Sequence, residues 1–348
     1  MDVPVKYPLL RPYMNSHIRR AVMDVLSHNQ ISEGPNVAAF EKAFREKFGG
    51  FPVAVNSGTS ALELAYDLMG WGKGNEVWVP VLTCVATNIP LARRGVKLKF
   101  MDVDPDTLNP IVPKNAGWVV SVDLNGIKNE VAADVHDCAQ SPGAIHYGKF
   151  SCYSFQAIKQ FTTGDGGLLD CARKNDYEVA RKLRWFGIDR DEPRRKEDYE
   201  PHEIREIFAD IEDPGYKFQM NDIAGAMGLA GLQSYDALMS HRQELFQEYK
   251  RGLKNISGIK ILQGKEMYHY SLGILVERRE DFARMLREHG VESNLIQIRN
   301  DLYKVFGGKR QDLPNMNALE GKYLFLPLNH EISTSDVGQI CDWIKGGW

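Results

Sequence analysis

Apolar residues recur along this chain in two rhythms. In residues 37–48, VAAFEKAFREKF, the side chains of Val37, Phe40, Phe44 and Phe48 fall on one helical face with charges opposite. From residue 52 short apolar runs take over: PVAVNSG at 52–58, EVWVPV at 76–81, KLKFMDV at 97–103 and GWVVSVDL at 117–124. AADVHD at 132–137, FSCYSF at 150–155 and GGLLDC at 166–171 continue the series. Several are apolar throughout, as expected of strands covered on both faces. Helical stretches, SALELAYDLMG at 60–70 and TNIPLARRG at 87–95, separate the earlier ones. This alternation predicts an α/β domain on a mostly parallel sheet.

Residues 189–213 are nearly all charge, with two prolines. They read as a solvated, mobile excursion or as a loop that covers a site. From about 222 one long helical pattern leads away and ends near Asn255. YHYSLGILVE and RREDFARMLREHG beyond it suggest a small α+β unit. The expected division is a large domain over 1–235 and a small C-terminal domain over 236–348.

Composition narrows the class. The 348 residues are 43% hydrophobic and carry a net charge of −3, which gives no electrostatic reason to expect nucleic acid or an anionic membrane as partner. No apolar run approaches the roughly 20 residues that span a bilayer. The start, MDVPVKYPLLRPYM, lacks a signal-peptide pattern. Five cysteines with no CxxC spacing read as reduced thiols, so a cytoplasmic protein is expected.

Three places could carry chemistry. VNSGTSALELAYDLMG is a strand, a turn and a helix that Thr59 or Ser60 could cap, and such a helix start suits a phosphate. It has neither GxGxxG nor GK[ST], so no dinucleotide or nucleoside triphosphate is implied. ADVHDCAQSPGA puts Asp137 just past a strand, where α/β ligands bind; a loop-capping aspartate is the alternative. His136 and Cys138 flank it but face away in a strand, and no histidine cluster has metal-ligand spacing, so no metal is expected. YSFQAIKQFTTGDGG surrounds Lys159 with apolar residues, threonines and glycines. Burial would depress its pKa and make it a nucleophilic amine. A phosphate cradle, a carboxylate and a buried amine are together what pyridoxal 5′-phosphate (PLP) requires.

With these motifs stand ISEGPNVAAFEKAF, NSGTSALELA, VPVLTCVATNIPLARRGVKLKFMDVDPDTLN, HDCAQSPGA, SFQAIKQFTTGDGGLL, LRWFGIDR, GYKFQMNDIAGAMGLAGL and LFLPLNHEIS. In this order, over nearly the whole length, the chain resembles the DegT–StrS family of PLP-dependent sugar-nucleotide aminotransferases. The resemblance implies the α/β fold-type I PLP-transferase architecture: a large domain with a mostly parallel, mixed seven-stranded sheet flanked by helices, and a smaller C-terminal α+β domain. Lys159 then corresponds to the lysine joined to the cofactor's aldehyde, Asp137 to the partner of the pyridinium nitrogen and Gln140 to that of the ring hydroxyl. Gly58, Thr59 and Ser154 fall where the family holds the phosphate. A homodimer with shared active sites is implied, the second subunit contributing the GYKFQM segment, where Lys217 replaces the usual asparagine. Cys84 stands where many relatives stack an aromatic on the cofactor.

The implied reaction moves an amino group from L-glutamate to a nucleotide-linked keto-deoxy sugar, C4 of a 4-keto-6-deoxyhexose being favoured. C3 amination of a 3-keto sugar, or a non-catalytic PLP-binding regulatory protein, are the alternatives. Lysine at 159 separates the chain from the branch that carries histidine there and dehydrates at C3. Arg299 and Lys304 are candidates for the nucleotide diphosphate, with a plain surface loop as the alternative. Arg184 and Arg190 are candidates for the donor carboxylate.

Overall fold

The computed structural model describes residues 4–189, 211 and 213–348. The charged stretch read as an excursion or cover, and Arg190 within it, lies outside the described residues apart from its ends.

Seven strands form the main sheet: β1 (Phe51–Val55), β2 (Glu76–Pro80), β3 (Lys97–Met101), β4 (Trp118–Val122), β5 (Val135–Asp137), β6 (Phe150–Ser154) and β7 (Gly167–Cys171). Their order is β1-β7-β6-β5-β4-β2-β3. All neighbours pair in parallel except β7, which runs antiparallel to both β1 and β6. A second sheet, β10-β9-β8, is built from β8 (Ile259–Ile261), β9 (Leu272–Val276) and β10 (Tyr323–Leu326) and is antiparallel throughout.

The helices are α1 (Ser16–Ser27), α2 (Pro35–Phe48), α3 (Gly58–Leu68), α4 (Val85–Arg93), α5 (Lys174–Leu183), α6 (Asp222–Gln233), α7 (Tyr235–Gly252), α8 (Arg279–Glu288), α9 (Pro314–Leu319) and α10 (Thr334–Lys345). The long helical pattern from 222 is therefore two helices. Ser234 closes α6 and opens α7, and its hydroxyl accepts from Asn15 Nδ2 at 3.2 Å.

The main sheet is covered on both faces, which explains its apolar runs. Val53, Val55, Cys152 and Leu169 point into one core with α3, whereas Ala54, Tyr153 and Leu168 point into another with α2. Val37, Phe40 and Phe44 are buried on that second side and Phe48 is half-buried, as the helical pattern predicts. A further core joins α7, α8 and α10 to β9 and β10. Near the N-terminus, Tyr7 belongs to this core and bridges Val291.

Two buried polar networks tie these layers together. Asp222, at the first turn of α6, accepts from the amides of Asn36 and Val37 at 2.9 and 3.0 Å and from Asn36 Nδ2 at 2.7 Å. It caps α2 from another helix, where Gly34 offers no side chain to do so. Arg184 lies buried between Glu33 at 2.7 Å, Glu41 at 2.5 Å and the carbonyl of Ala54 at 2.9 Å. It is an internal tie, which removes it as a candidate for the donor carboxylate.

Replacing Asp222 leaves helix-start amides buried and unpaired. Asp222→Ala is expected to lower stability by about 2–4 kcal/mol in denaturant titrations. A loss under about 0.5 kcal/mol would show that α2 does not depend on this cap.

Candidate active site

The site is built where strand ends meet the start of a helix. β1 ends at Val55, the chain turns through Asn56 and Ser57, and α3 begins at Gly58. The helix cap is Ser57, not Thr59 or Ser60: its Oγ accepts from the Ser60 amide at 3.0 Å. Ser60 Oγ in turn donates to Asn56 Oδ1 at 2.6 Å. The cap thus serves the third amide, and the amides of Gly58 and Thr59 have no acceptor inside the helix. That pair of donors, at the positive end of the helix, fits a phosphate.

Glycines make the cradle possible. A Cβ on Gly58 would lie 2.8 Å from Ser154 Cβ, and one on Gly167 would lie 2.3 Å from the Ser57 carbonyl oxygen. The α3 start, the end of β6 and the start of β7 can therefore converge only with hydrogen at both positions. Ser154, at the end of β6, is brought against the first turn of α3 by this contact.

Asp137 ends β5 and is buried. Its Oδ2 accepts from Thr87 Oγ1 at 2.6 Å and its Oδ1 from the Ala139 amide at 3.0 Å. Thr83 Oγ1 lies 2.7 Å from Thr87 Oγ1, and because Thr87 gives its proton to Asp137, Thr83 must be the donor to Thr87. Burial pushes the Asp137 carboxyl above its ordinary range, while Thr87, Ala139 and Lys159 pull the other way. A positive group within reach would find the carboxylate already oriented.

Lys159 sits in the turn that follows β6, where its amide donates to the Gln156 carbonyl at 2.8 Å. Burial pulls its amine below the usual lysine range, opposed by Asp137 and Cys84. Lys159 Nζ lies 5.0 Å from the centroid of the Tyr270 ring. Gln140 is buried with its Oε1 on the Asn125 amide at 2.5 Å. Gln160 Nε2 holds the Gln140 carbonyl at 2.6 Å. Among the described residues nothing takes the Gln140 side-chain nitrogen, which leaves it free to donate.

Cys84 is exposed at the start of α4 and acts electrostatically on both Lys159 and Tyr270. Lys217 lies in the segment that runs beside β1: Gln219 bridges Val55, and Asn56 Nδ2 donates to the Lys217 carbonyl at 3.3 Å. Its ammonium rests on the Trp185 ring of its own chain.

The arginine candidate fails. Arg299 is fully buried, and its guanidinium meets Asp301 twice at 2.6–2.7 Å, Asn317 at 2.6 Å, Glu320 at 3.3 Å and the Gln311 carbonyl at 3.1 Å. All five N–H donors are committed, so none is left for a diphosphate. Lys304 is exposed on a short turn nearby.

Behind Asp137, ligand atoms of Asp123, Cys138 and His146 lie within 4.8 Å of one another. Asp123 is already satisfied by the Asn129 amide at 2.9 Å, Ser141 Oγ at 2.6 Å and His146 Nε2 at 2.9 Å. Burial drives the Cys138 thiol well above its ordinary value and pulls His136, stacked on His146, down to about 3. These are features of a closed hydrogen-bonded core.

Thr87, Thr83, Asn125 and Tyr270 went unread in the sequence. The spacing of Thr83 and Thr87, one helical turn apart, was the available signal for the first two.

A phosphate cradle, a buried carboxylate at a strand end and a desolvated lysine on one edge of a mixed sheet define a fold-type I PLP-dependent enzyme. The amides of Gly58 and Thr59, the Gln140 side-chain nitrogen, the Asp137 carboxylate and the Lys159 amine are of the kinds that the phosphate, ring hydroxyl, ring nitrogen and aldehyde of that cofactor require. Residues 12–121 and 128–345 match the DegT/DnrJ/EryC1/StrS aminotransferase family, and the chain belongs to it. It is an aminotransferase, and the cofactor of that family is PLP.

The chain is 27% identical to the spore coat polysaccharide biosynthesis protein SpsC of Bacillus subtilis (strain 168), over 97% of this chain and 96% of that protein. It is 25% identical to the dTDP-4-dehydro-2,3,6-trideoxy-D-glucose 4-aminotransferase of Saccharopolyspora spinosa, over 96% and 94%. The crystal structure of the sugar aminotransferase CalS13 from Micromonospora echinospora superposes with a TM-score of 0.88 at 28% identity, covering 98% of this chain and all of that one. Among the described residues no helix is long and apolar enough to cross a membrane.

Gly58→Ala forces the α3 start away from Ser154. It is expected to weaken binding of PLP about tenfold or more while the far-ultraviolet spectrum stays unchanged, and unaltered affinity would refute the cradle.

Proposed function

We propose that this chain transfers the amino group of L-glutamate to a nucleotide-linked keto-deoxy sugar, at C4 of a 4-keto-6-deoxyhexose. The observation that carries the reading is the convergence of Lys159, Asp137 and the α3 start on one edge of the main sheet. The choice of carbon is supported by the likeness to the 4-aminotransferase from Saccharopolyspora spinosa.

In this reading Gly58, Thr59 and Ser154 hold the cofactor phosphate, Gln140 donates to the ring hydroxyl, and Asp137 faces the ring nitrogen. When bound, PLP supplies the sink for electrons left on the donor carbon. Asp137 would keep its partner protonated, and Thr87, backed by Thr83, together with the Ala139 amide holds the carboxylate in place and opposes the effect of burial on its charge. Lys159 would tether the cofactor through its amine. When not so joined, its Nζ would take the proton from Cα of the donor and return a proton to the cofactor's reacting carbon. Burial supports this second role, because it pulls the amine below the usual lysine range and so favours the uncharged form that can accept a proton.

Cys84 borders the ring position without an aromatic face to stack there. Lys304, exposed near the strand ends, is kept as a contact for the nucleotide. The enzyme acts as a homodimer in the cytoplasm, and the Lys217 segment of each subunit completes the other's phosphate site. The proposed domain division remains 1–235 and 236–348, a boundary just after the first residue of α7.

Borohydride reduction of the PLP-loaded protein followed by digestion should fix the cofactor on the peptide containing Lys159. An unlabelled peptide, or label elsewhere, would end the assignment. Lys159→Ala should lose all turnover, and Asp137→Asn should lose about a hundredfold or more in kcat with little change in stability. Near-normal kinetics in either variant would refute its role. A panel of nucleotide keto-sugars incubated with L-glutamate and read by mass spectrometry and NMR should yield a C4 amine. A C3 product, or no dependence on glutamate, would overturn the substrate part alone.

A further inference from the structure

The amine of Lys159 faces an aromatic ring that no motif in the sequence had marked. Its Nζ is 5.0 Å from the centroid of Tyr270, inside the distance at which a cation is attracted to the ring face. The ring is held firmly at its backbone end. Tyr270 is 1% exposed, its carbonyl accepts from Arg242 Nη1 at 3.1 Å, and its amide reaches the Asn125 carbonyl at 3.4 Å. Its hydroxyl is buried and has no hydrogen-bond partner among the described residues. The phenol is therefore not placed there to satisfy a hydrogen bond within the fold, and the ring face is what the neighbouring amine meets.

Charged and titratable groups surround the pair from several elements. Asp137 at the end of β5 and Cys84 at the start of α4 act on Lys159, and Arg242 from α7 and Cys84 act on Tyr270. Asp137 is itself committed to Thr87 and the Ala139 amide.

We propose that Tyr270 is a positioning residue for Lys159, its ring face docking the protonated fraction of that amine when the site is free of cofactor. The proposal rests on Lys159 being the cofactor-bearing lysine. Burial alone pulls the amine towards its neutral form on a flexible stem. The ring quadrupole favours the charged form without forming a covalent or hydrogen-bonded attachment, so the amine waits at the site and leaves it readily. Cys84 occupies the position that could have offered an aromatic from α4, and the ring beside the lysine comes instead from the segment before β9.

The test is competitive trace acetylation of the full-length protein freed of PLP, at neutral pH, with the Lys159 peptide quantified against exposed lysines such as Lys304. Wild type and Tyr270→Phe should label at the same rate, because both keep the ring. A trifluorinated phenylalanine at position 270 keeps shape and burial but weakens the ring quadrupole, and Lys159 in that protein should label about two- to thirtyfold faster than in Tyr270→Phe. Equal rates for the two phenylalanine rings would overturn the proposal. So would a Tyr270→Phe protein that labels faster than wild type, since the hydroxyl and not the ring would then be responsible. Failure of the cofactor assignment itself reads out separately, in the borohydride experiment on the PLP-loaded protein.

Discussion

The site is organised around one buried carboxylate. Asp137 lies at the end of β5 in the middle of the main sheet, where burial disfavours its charge, and the surrounding structure is arranged to restore it. Thr87 reaches it from α4 and Ala139 from the chain that follows β5, so two elements must be in place before the carboxylate is set. Lys159, in the turn after β6, completes the charge balance. The positions of α4, β5 and β6 relative to one another are thus fixed both by strand pairing and by the electrostatics of a single group.

Much of this was legible in the chain. Every apolar run from 76 to 171 became a strand, because a strand covered on both faces has little choice but to be apolar along its length. The reversal of β7 was not legible. Strand alternation suggests parallel neighbours, but the connection 155–166 contains no helix and is occupied by the turn that presents Lys159. The single helix read from 222 onward was also too simple, since Ser234, where α6 ends and α7 begins, carries no glycine or proline signal.

The residues at the site divide in the same way. Lys159 and Asp137 could be picked out because their neighbours in sequence are unusual for a lysine and an aspartate. Arg184 and Arg299 could not be judged, since a free guanidinium and one enclosed by carboxylates look identical in a string of letters. Their partners, Glu33, Glu41, Asp301 and Glu320, are mostly far away along the chain or become partners only on folding. The helix cap moved from Thr59 or Ser60 to Ser57 for a more local reason: all three hydroxyl residues, which fall within four positions, have capping chemistry, and only backbone direction chooses among them.

Ser234 joins two helices whose contacts reach both sheets. The helix on its N-terminal side packs on the main sheet's layers, and the helix on its C-terminal side carries Arg242, whose Nη1 grips the carbonyls of His269, Tyr270 and Leu328. Tyr235 and Leu238 seat the start of the second helix in the same core as Leu232 of the first, and one turn further on Arg242 clasps the backbone of the ring that faces Lys159. That grip is on main-chain oxygens, so it does not depend on which side chain stands at 270.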